Sequence, residues 1–256
     1  MKGFVSFLKK ECLEGVRSGK LMILGILFFA FGVMNPAIAK LTPWLMELMA
    51  EELAESGMIV GDVTVDALTS WVQFYKNVPM LLIAFVLIYG GILSREYDSG
   101  ALVLMLTKGV SRAQIVLAKL LYLQSIWTVG YWLTYGVTFG YNAYFWDNAI
   151  APGAFVGAVA YWLFGVFAVA LVMLFSVLLR GYGGVVLGTG ATVLGFYLLG
   201  LIPKLRYAMP TALMGGAGFL TDAGLAADYI PAFILATVLT VAAVAVCIPL
   251  INKKQI

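Results

Sequence analysis

Apolar residues along the chain gather into six long runs, each limited by charged positions. The limits are Lys20 and Lys40, Lys76 and Arg95, Lys119 and Asp147, Asp147 and Arg180, Arg180 and Lys204, and Asp228 and Lys253. A helix rising 1.5 Å per residue needs about 20 apolar residues to cross a hydrocarbon core roughly 30 Å thick. The pattern therefore predicts spans over 21–39, 77–94, 120–146, 154–179, 181–203 and 229–252, with Pro152 and Gly153 opening the fourth. The second run is the shortest and is expected to cross with little tilt.

Between the runs, the polar pattern predicts other elements. Residues 1–19 read as an interfacial helix: at 100° per residue Phe4, Val5, Leu8, Cys12 and Val16 share one face, Ser6, Lys10, Glu14 and Arg17 the other, and Phe7 fits neither. The first outer loop, 40–76, is long for a bare connection. Pro43 is expected to open a surface helix there, Gly57 and Gly61 to break it, and Asp62 or Thr64 to cap a second short helix over 65–74. Its exposed reading is a lid over an exit path or a plain solvated cap. In the loop after the second run, Ser99 and Gly109 bracket a short apolar helix of Leu102, Leu104, Met105 and Leu106, and Ser111 with Gln114 has capping-box spacing. That helix is too short to span and too apolar for water, so it calls for a partner protein or for the inner end of its own bundle.

Composition sharpens this picture. The chain has 256 residues, 62% hydrophobic and 11% charged, with a mean hydropathy of +0.99; soluble domains average about 25% charged. An N-terminus on the cytoplasmic side places Lys2, Lys9, Lys10, Arg17, Lys20, Arg95, Lys108, Arg112, Lys119, Arg180, Lys253 and Lys254 inside, and Lys40, Lys76, Lys204 and Arg206 outside. The positive-inside rule selects that orientation, with both termini in the cytoplasm. Trp44, Trp71, Phe74, Tyr75, Tyr141, Tyr144 and Trp146 then fall at the outer interface. The expected fold is thus an all-α integral membrane protein of six transmembrane helices, multi-pass in a bacterial plasma membrane. The first run lacks a cleavage site of signal-peptide type.

No histidine is present, which removes the commonest general base and metal ligand. Cys12 and Cys247 lack metal-ligand spacing. An intramembrane enzyme is therefore not expected, nor a metal. A proton- or sodium-coupled carrier normally places ionisable groups within its spans, and the six runs hold none; no two-halves repeat of secondary-transporter type is visible either. A substrate-binding membrane subunit of an importer is a further alternative. Gly184-x-x-x-Gly188 allows close helix approach, either to a second chain or within this one.

The loop after the second run resembles the signature of the ABC-2 family of ATP-binding-cassette permeases. Glu96, Gly100, Leu102, Leu104, Leu106, Thr107, Ser111, Arg112 and Lys119 stand at its positions, with Ala101 where threonine is usual and Gly109 where proline is usual. The resemblance implies an exporter fold of ABCG type, with the short helix over 96–109 as a coupling helix that docks on an ATPase. It assigns ATPase coupling to Arg95, Glu96, Asp98, Gly100, Leu102, Leu104, Met105, Leu106 and Lys108. It also implies two copies of an ABC ATPase subunit, a second permease chain in a homodimer, membrane lipid and no nucleic acid. The chain has no Gly-x-x-x-x-Gly-Lys-Ser/Thr loop, so no cofactor is expected on it, and ATP and Mg belong to the partner subunit. The implied function is outward movement of an apolar or amphipathic cargo (peptide, antibiotic or lipid) by alternating access, with spans two and five shifting.

Overall fold

The computed structural model describes residues 2–49, 64–107, 109–222 and 227–254, with the side chains of all of these except residues 2–6 and Leu104. Within those residues the chain is helical and contains no strand. The elements are α1 (Lys2–Arg17), α2 (Lys20–Leu48), α3 (Ala67–Tyr89), α4 (Ser94–Asp98), α5 (Ala101–Thr107), α6 (Arg112–Phe145), α7 (Ala154–Leu178), α8 (Tyr182–Gly200) and α9 (Ile230–Lys253). Short 3-10 turns cover Asn148–Ile150, Pro210–Met214 and Gly216–Phe219. Among the described residues, five helical stretches are long and apolar enough to cross a membrane: Lys20–Leu48, Ala67–Asp98, Ala154–Leu178, Tyr182–Gly200 and Ala227–Lys253.

The longest helix, α6, with 34 residues, is outside that group because Tyr, Trp, Thr, Gln and Asn interrupt its apolar sequence. Burial explains how it keeps them. It packs on α1, α2, α3, α7 and α9, and five of its polar side chains bond to α2 and α7. Gln124 Nε2 donates to the Val166 carbonyl at 2.8 Å, Trp127 Nε1 to Trp162 O at 3.1 Å and the Tyr131 hydroxyl to Ala158 O at 2.9 Å, all on α7. Toward α2, Thr134 Oγ1 donates to Phe28 O at 2.9 Å and Thr138 Oγ1 to Gly32 O at 3.0 Å. The second of these repairs a gap: Pro36 lies inside α2 and has no N–H to give the carbonyl four residues before it. Two glycines let the helices approach, since a Cβ on Gly130 would lie 2.3 Å from the Phe28 ring and one on Gly165 2.1 Å from Trp127.

The connections between spans differ from expectation in three places. α2 runs without a break through Pro43 to Leu48, where a separate surface helix was expected. There the proline leaves the carbonyl of Ala39, four residues earlier, without its helical N–H. α3 starts at Ala67, where the Asp66 side chain accepts from Thr69 N at 2.9 Å, and continues as one helix instead of a short helix over 65–74 followed by a span. Residues 50–63, with Glu51, Glu52, Glu55, Gly57, Gly61 and Asp62, lie outside the described residues. Finally, Trp71, Phe74 and Tyr75 are core rather than interface. Edge-to-face contacts bring Phe74 to Trp71 and Tyr131, and Trp71 Nε1 donates to Asn148 Oδ1 at 3.0 Å. Trp44, Tyr141 and Tyr144 are the exposed members of that aromatic group.

Candidate functional site

α1, α4 and α5 lie at the end of the bundle that carries both termini. Gly90 ends α3, and the chain then turns through α4 and α5 into α6. Gly100 and Gly109, with φ of 68° and 83°, bracket α5 in the left-handed conformation that glycine adopts without a Cβ penalty. Ser111 accepts from Gln114 N at 3.3 Å while Gln114 Oε1 accepts from Ser111 N at 3.1 Å, so the capping box opens α6 as its spacing predicts.

The first and last polar residues of the signature meet in space. Lys119 Nζ lies 2.9 Å from Glu96 Oε1 and 2.8 Å from Glu11 Oε2, and Lys119 is only 2% exposed. Lys10 joins from α1, 3.0 Å from Glu11, 2.9 Å from Glu14 and 3.1 Å from Glu96. Both ammonium groups also lie over the ring of Phe7, at 5.3 Å for Lys10 and 5.8 Å for Lys119, an attraction that desolvation strengthens. Phe7, the residue that fitted neither face, is therefore the anchor of α1. The buried face of that helix is Phe7, Glu11 and Gly15, while Cys12, Leu13 and Val16 are exposed. Gly15 is needed because a Cβ there would fall 1.9 Å from the Tyr122 hydroxyl.

This electrostatics orders the exposed edge of the cluster too. Burial works to lower the Lys10 pKa, but the Glu14 hydrogen bond and the charges of Glu11 and Glu96 outweigh it and hold it above the ordinary 10.5. The Lys10 hydrogen bond holds Glu14 below its ordinary 4.5, against a smaller opposing effect of burial. A cavity of about 40 Å³ lies beside the cluster, lined by Glu11, Lys20, Arg95, Glu96 and Tyr122 among others.

A second set of contacts ties the same turn to the C-terminal helix. Arg112 Nη1 shares its two N–H groups among the carbonyls of Ile251, Asn252 and Lys254 at 3.3, 3.2 and 2.5 Å, covering open carbonyls around the end of α9. Lys254 Nζ donates to Val177 O at 2.6 Å, near the end of α7, and lies 4.6 Å from the ring centre of Tyr97. Burial, then the nearby Arg180 charge, lowers the Lys254 pKa.

Of the residues assigned to coupling, Arg95, Asp98 and Gly100 are exposed, Glu96 is buried in the ion-pair cluster, Leu102 is buried against the bundle, and Met105 and Leu106 are half-buried on its core. Val103 is an exposed apolar residue of α5. The Leu104 side chain and Lys108 lie outside the described residues. The turn thus spends part of its apolar face on its own bundle. Sequence reasoning missed the roles of Glu11, Lys10 and Arg112. The signal for Glu11 was its i+4 spacing from Phe7 and to Gly15, a small and an aromatic residue flanking a carboxylate on one stripe.

Apolar membrane-length helices above an anchored charged turn define a multi-pass integral membrane protein. The chain belongs to the ABC-2 family: residues 5–205 match the family described as "ABC-2 family transporter protein". It is also similar to the "Uncharacterized transmembrane protein YxlG" of Bacillus subtilis (strain 168), 24% identical over 240 residues that cover 90% of this chain and 89% of that protein. No solved structure matches it. Membership makes this a membrane transport subunit of permease type, in a family that usually works with an ABC ATPase partner.

Proposed function

We propose that the chain is the permease of an ABC exporter, assembled as two permeases with two ATPase subunits that bind ATP and Mg²⁺. Six helices cross the membrane, α6 among them. Gln124, Trp127, Tyr131, Thr134 and Thr138 bond to neighbouring helices, and a helix with such bonds inside the bundle can cross despite a modest apolar content. Both termini and the α4–α5 turn face the cytoplasm, in keeping with twelve of the sixteen lysines and arginines falling on that side by the boundaries given above.

The observation that carries the reading is the fastening of the α4–α5 turn. Glu96 ties it to α1 and α6, Tyr97 meets Lys254 at the end of α9, and Arg112, which opens α6, also binds the end of α9. A force applied to the exposed side of the turn reaches α1, α6 and α9 through these contacts. ATP-driven closure of the partner subunits moves this turn and shifts the spans between inward- and outward-facing arrangements, provided nucleotide binding favours one of them. The cargo is apolar or amphipathic: a peptide, an antibiotic or a lipid.

The test is co-expression with the ATPase. Val103→Asp alters the exposed face of α5 without touching its buried one, and is expected to lower co-purification and cargo-stimulated ATP hydrolysis severalfold. Leu106→Asp is expected to do the same. Unchanged assembly and turnover in both variants overturns the coupling assignment.

A further inference from the structure

We infer a phospholipid site in the cleft between the end of α8 and the turn Pro210–Met214, where Arg206 takes the phosphodiester. The inference rests on the chain spanning a membrane and is independent of ATP coupling. The cleft has a volume of about 340 Å³ and is lined by Tyr197, Gly200, Leu201, Arg206, Thr211 and Ala212. Its level in the bilayer follows from α8, whose 19 residues rise about 28 Å, close to the hydrocarbon thickness. Gly200, the last of them, falls where headgroups begin. Tyr197 and Tyr207 are exposed near it, as amphipathic rings at a membrane interface are.

Charge and apolarity divide the cleft between them. Arg206 is exposed, and among the described residues no carboxylate lies within 4 Å of its guanidinium. Its neighbour is the ring of Tyr207, 5.6 Å away. A guanidinium presents its N–H groups as a planar fork that matches two phosphate oxygens. Lys204 is a second exposed cation two residues earlier, while Asp222 and Asp228 are exposed in the same connection. Two cations against two carboxylates leave that connection neutral, so it does not gather anions at long range. An exposed ion pair is weak alone, and free phosphate has little else to hold it here. The remainder of the hold is apolar. Leu201 is exposed in the cleft, and Leu194 and Leu198 are exposed on the same helix; their spacing of four and three residues makes one stripe running from the cleft toward the membrane core. Acyl chains on that stripe with a phosphodiester at Arg206 use both halves of the surface, whereas an anion without chains, or chains without a phosphate, uses one.

The full chain, purified in detergent and given limiting phosphatidylglycerol, is expected to retain that lipid in native mass spectra. Diacylglycerol with the same chains lacks the phosphate and should be retained about tenfold less, as loss of a charge-assisted hydrogen-bonded contact predicts. Arg206→Gln should lower phosphatidylglycerol retention by the same factor while leaving diacylglycerol retention and the melting temperature unchanged; Arg206→Lys should recover part of the loss. A Cβ on Gly200 would meet Met209 and Thr211 at an ordinary 3.8 Å, so Gly200→Leu fits the fold, fills the cleft and should abolish retention. Phosphatidylglycerol with a diazirine in one acyl chain should label α8 over residues 194–201. Equal retention by the parent and by Arg206→Gln, or labelling spread evenly over the lipid-facing helices, overturns the site. Inorganic phosphate bound as tightly as the lipid overturns it too, since that is an anion site without an apolar half. A chain that is dimeric and free of lipid in the same spectra has a second copy as the occupant, which also overturns it. No ATPase enters the measurement, so a negative result leaves the coupling assignment standing, and a failure of Val103→Asp to uncouple leaves this site standing.

Discussion

α6 and α8 invert the usual relation between apolarity and burial. α8 is apolar enough to be read as a span at sight, yet only 11% of its membrane window is buried, and Val185 and Thr189 are its buried residues. α6 carries Lys119, Thr134, Thr138 and Asn142, and all four are buried. Hydropathy reports the solvent a helix would choose alone; the bundle decides which helix has to choose. At the centre, Thr134 and Thr138 help fix register, because each finds a carbonyl on α2. At the rim, lipid or another chain meets α8 whatever its register, so small and apolar residues suffice. Gly184 and Gly188 face Leu179 and Phe175 of the same chain, so that glycine pair serves contact within the protomer.

The strongest test of the contrast is Lys119. Lys119→Ala leaves Glu11 and Glu96 buried with Lys10 as their remaining cation, and breaking a buried pair from one side costs about 3–5 kcal/mol. The thermal midpoint in detergent, followed by tryptophan fluorescence, is expected to fall by roughly 10 °C. A change under about 2 °C would show that the centre tolerates an unpaired charge as the rim does.

Next in size is a pair of glycine substitutions. Gly130→Val drives a methyl-bearing Cβ into the Phe28 ring, 2.3 Å away, and overpacking of that kind costs about 1–3 kcal/mol. Gly183→Val in α8 meets nothing within 4 Å and is expected to leave the midpoint unchanged. Equal losses from both would erase the distinction. Thr134→Val is smaller still. It removes the donor to Phe28 O and Gly130 O while keeping the volume, for about 0.5–1.5 kcal/mol in the same melt.

The sequence makes parts of this legible for physical reasons. Long apolar runs, the Ser111–Gln114 box and the glycines at 100 and 109 are local signals, and each is readable within a few residues. The ion-pair cluster is not local. Lys119 and Glu11 are 108 positions apart, and a charge near a span boundary looks like a solvated helix end until a partner is known. Phe7 was unreadable for a related reason: amphipathic periodicity sorts residues by apolarity, whereas its place is set by two ammonium groups. Arg112 reads as one more inside charge, yet it caps a helix that starts 118 positions later, at Ile230.

The smallest expected effect comes from the one part of the charge cluster that resembles the rim. Glu14 is exposed and its pKa is lowered chiefly by the Lys10 hydrogen bond. A carboxylate with a depressed folded-state value stabilises above its ordinary value of 4.5 and loses that contribution as pH falls through the lower folded value. Lys10, shifted upward, contributes fully at neutral pH and loses its share only above the ordinary lysine range. Acidifying from neutrality to below pH 4.5 should therefore loosen the edge of α1, and salt should weaken the same contact by screening it. Amide exchange of α1 is the measure: faster exchange in acid, after correction for intrinsic rates, and less of that change in Glu14→Gln. If α1 exchanges identically at both pH values in the parent, the exposed pair adds nothing, and the buried contacts of Glu11 and Lys119 hold the helix unaided.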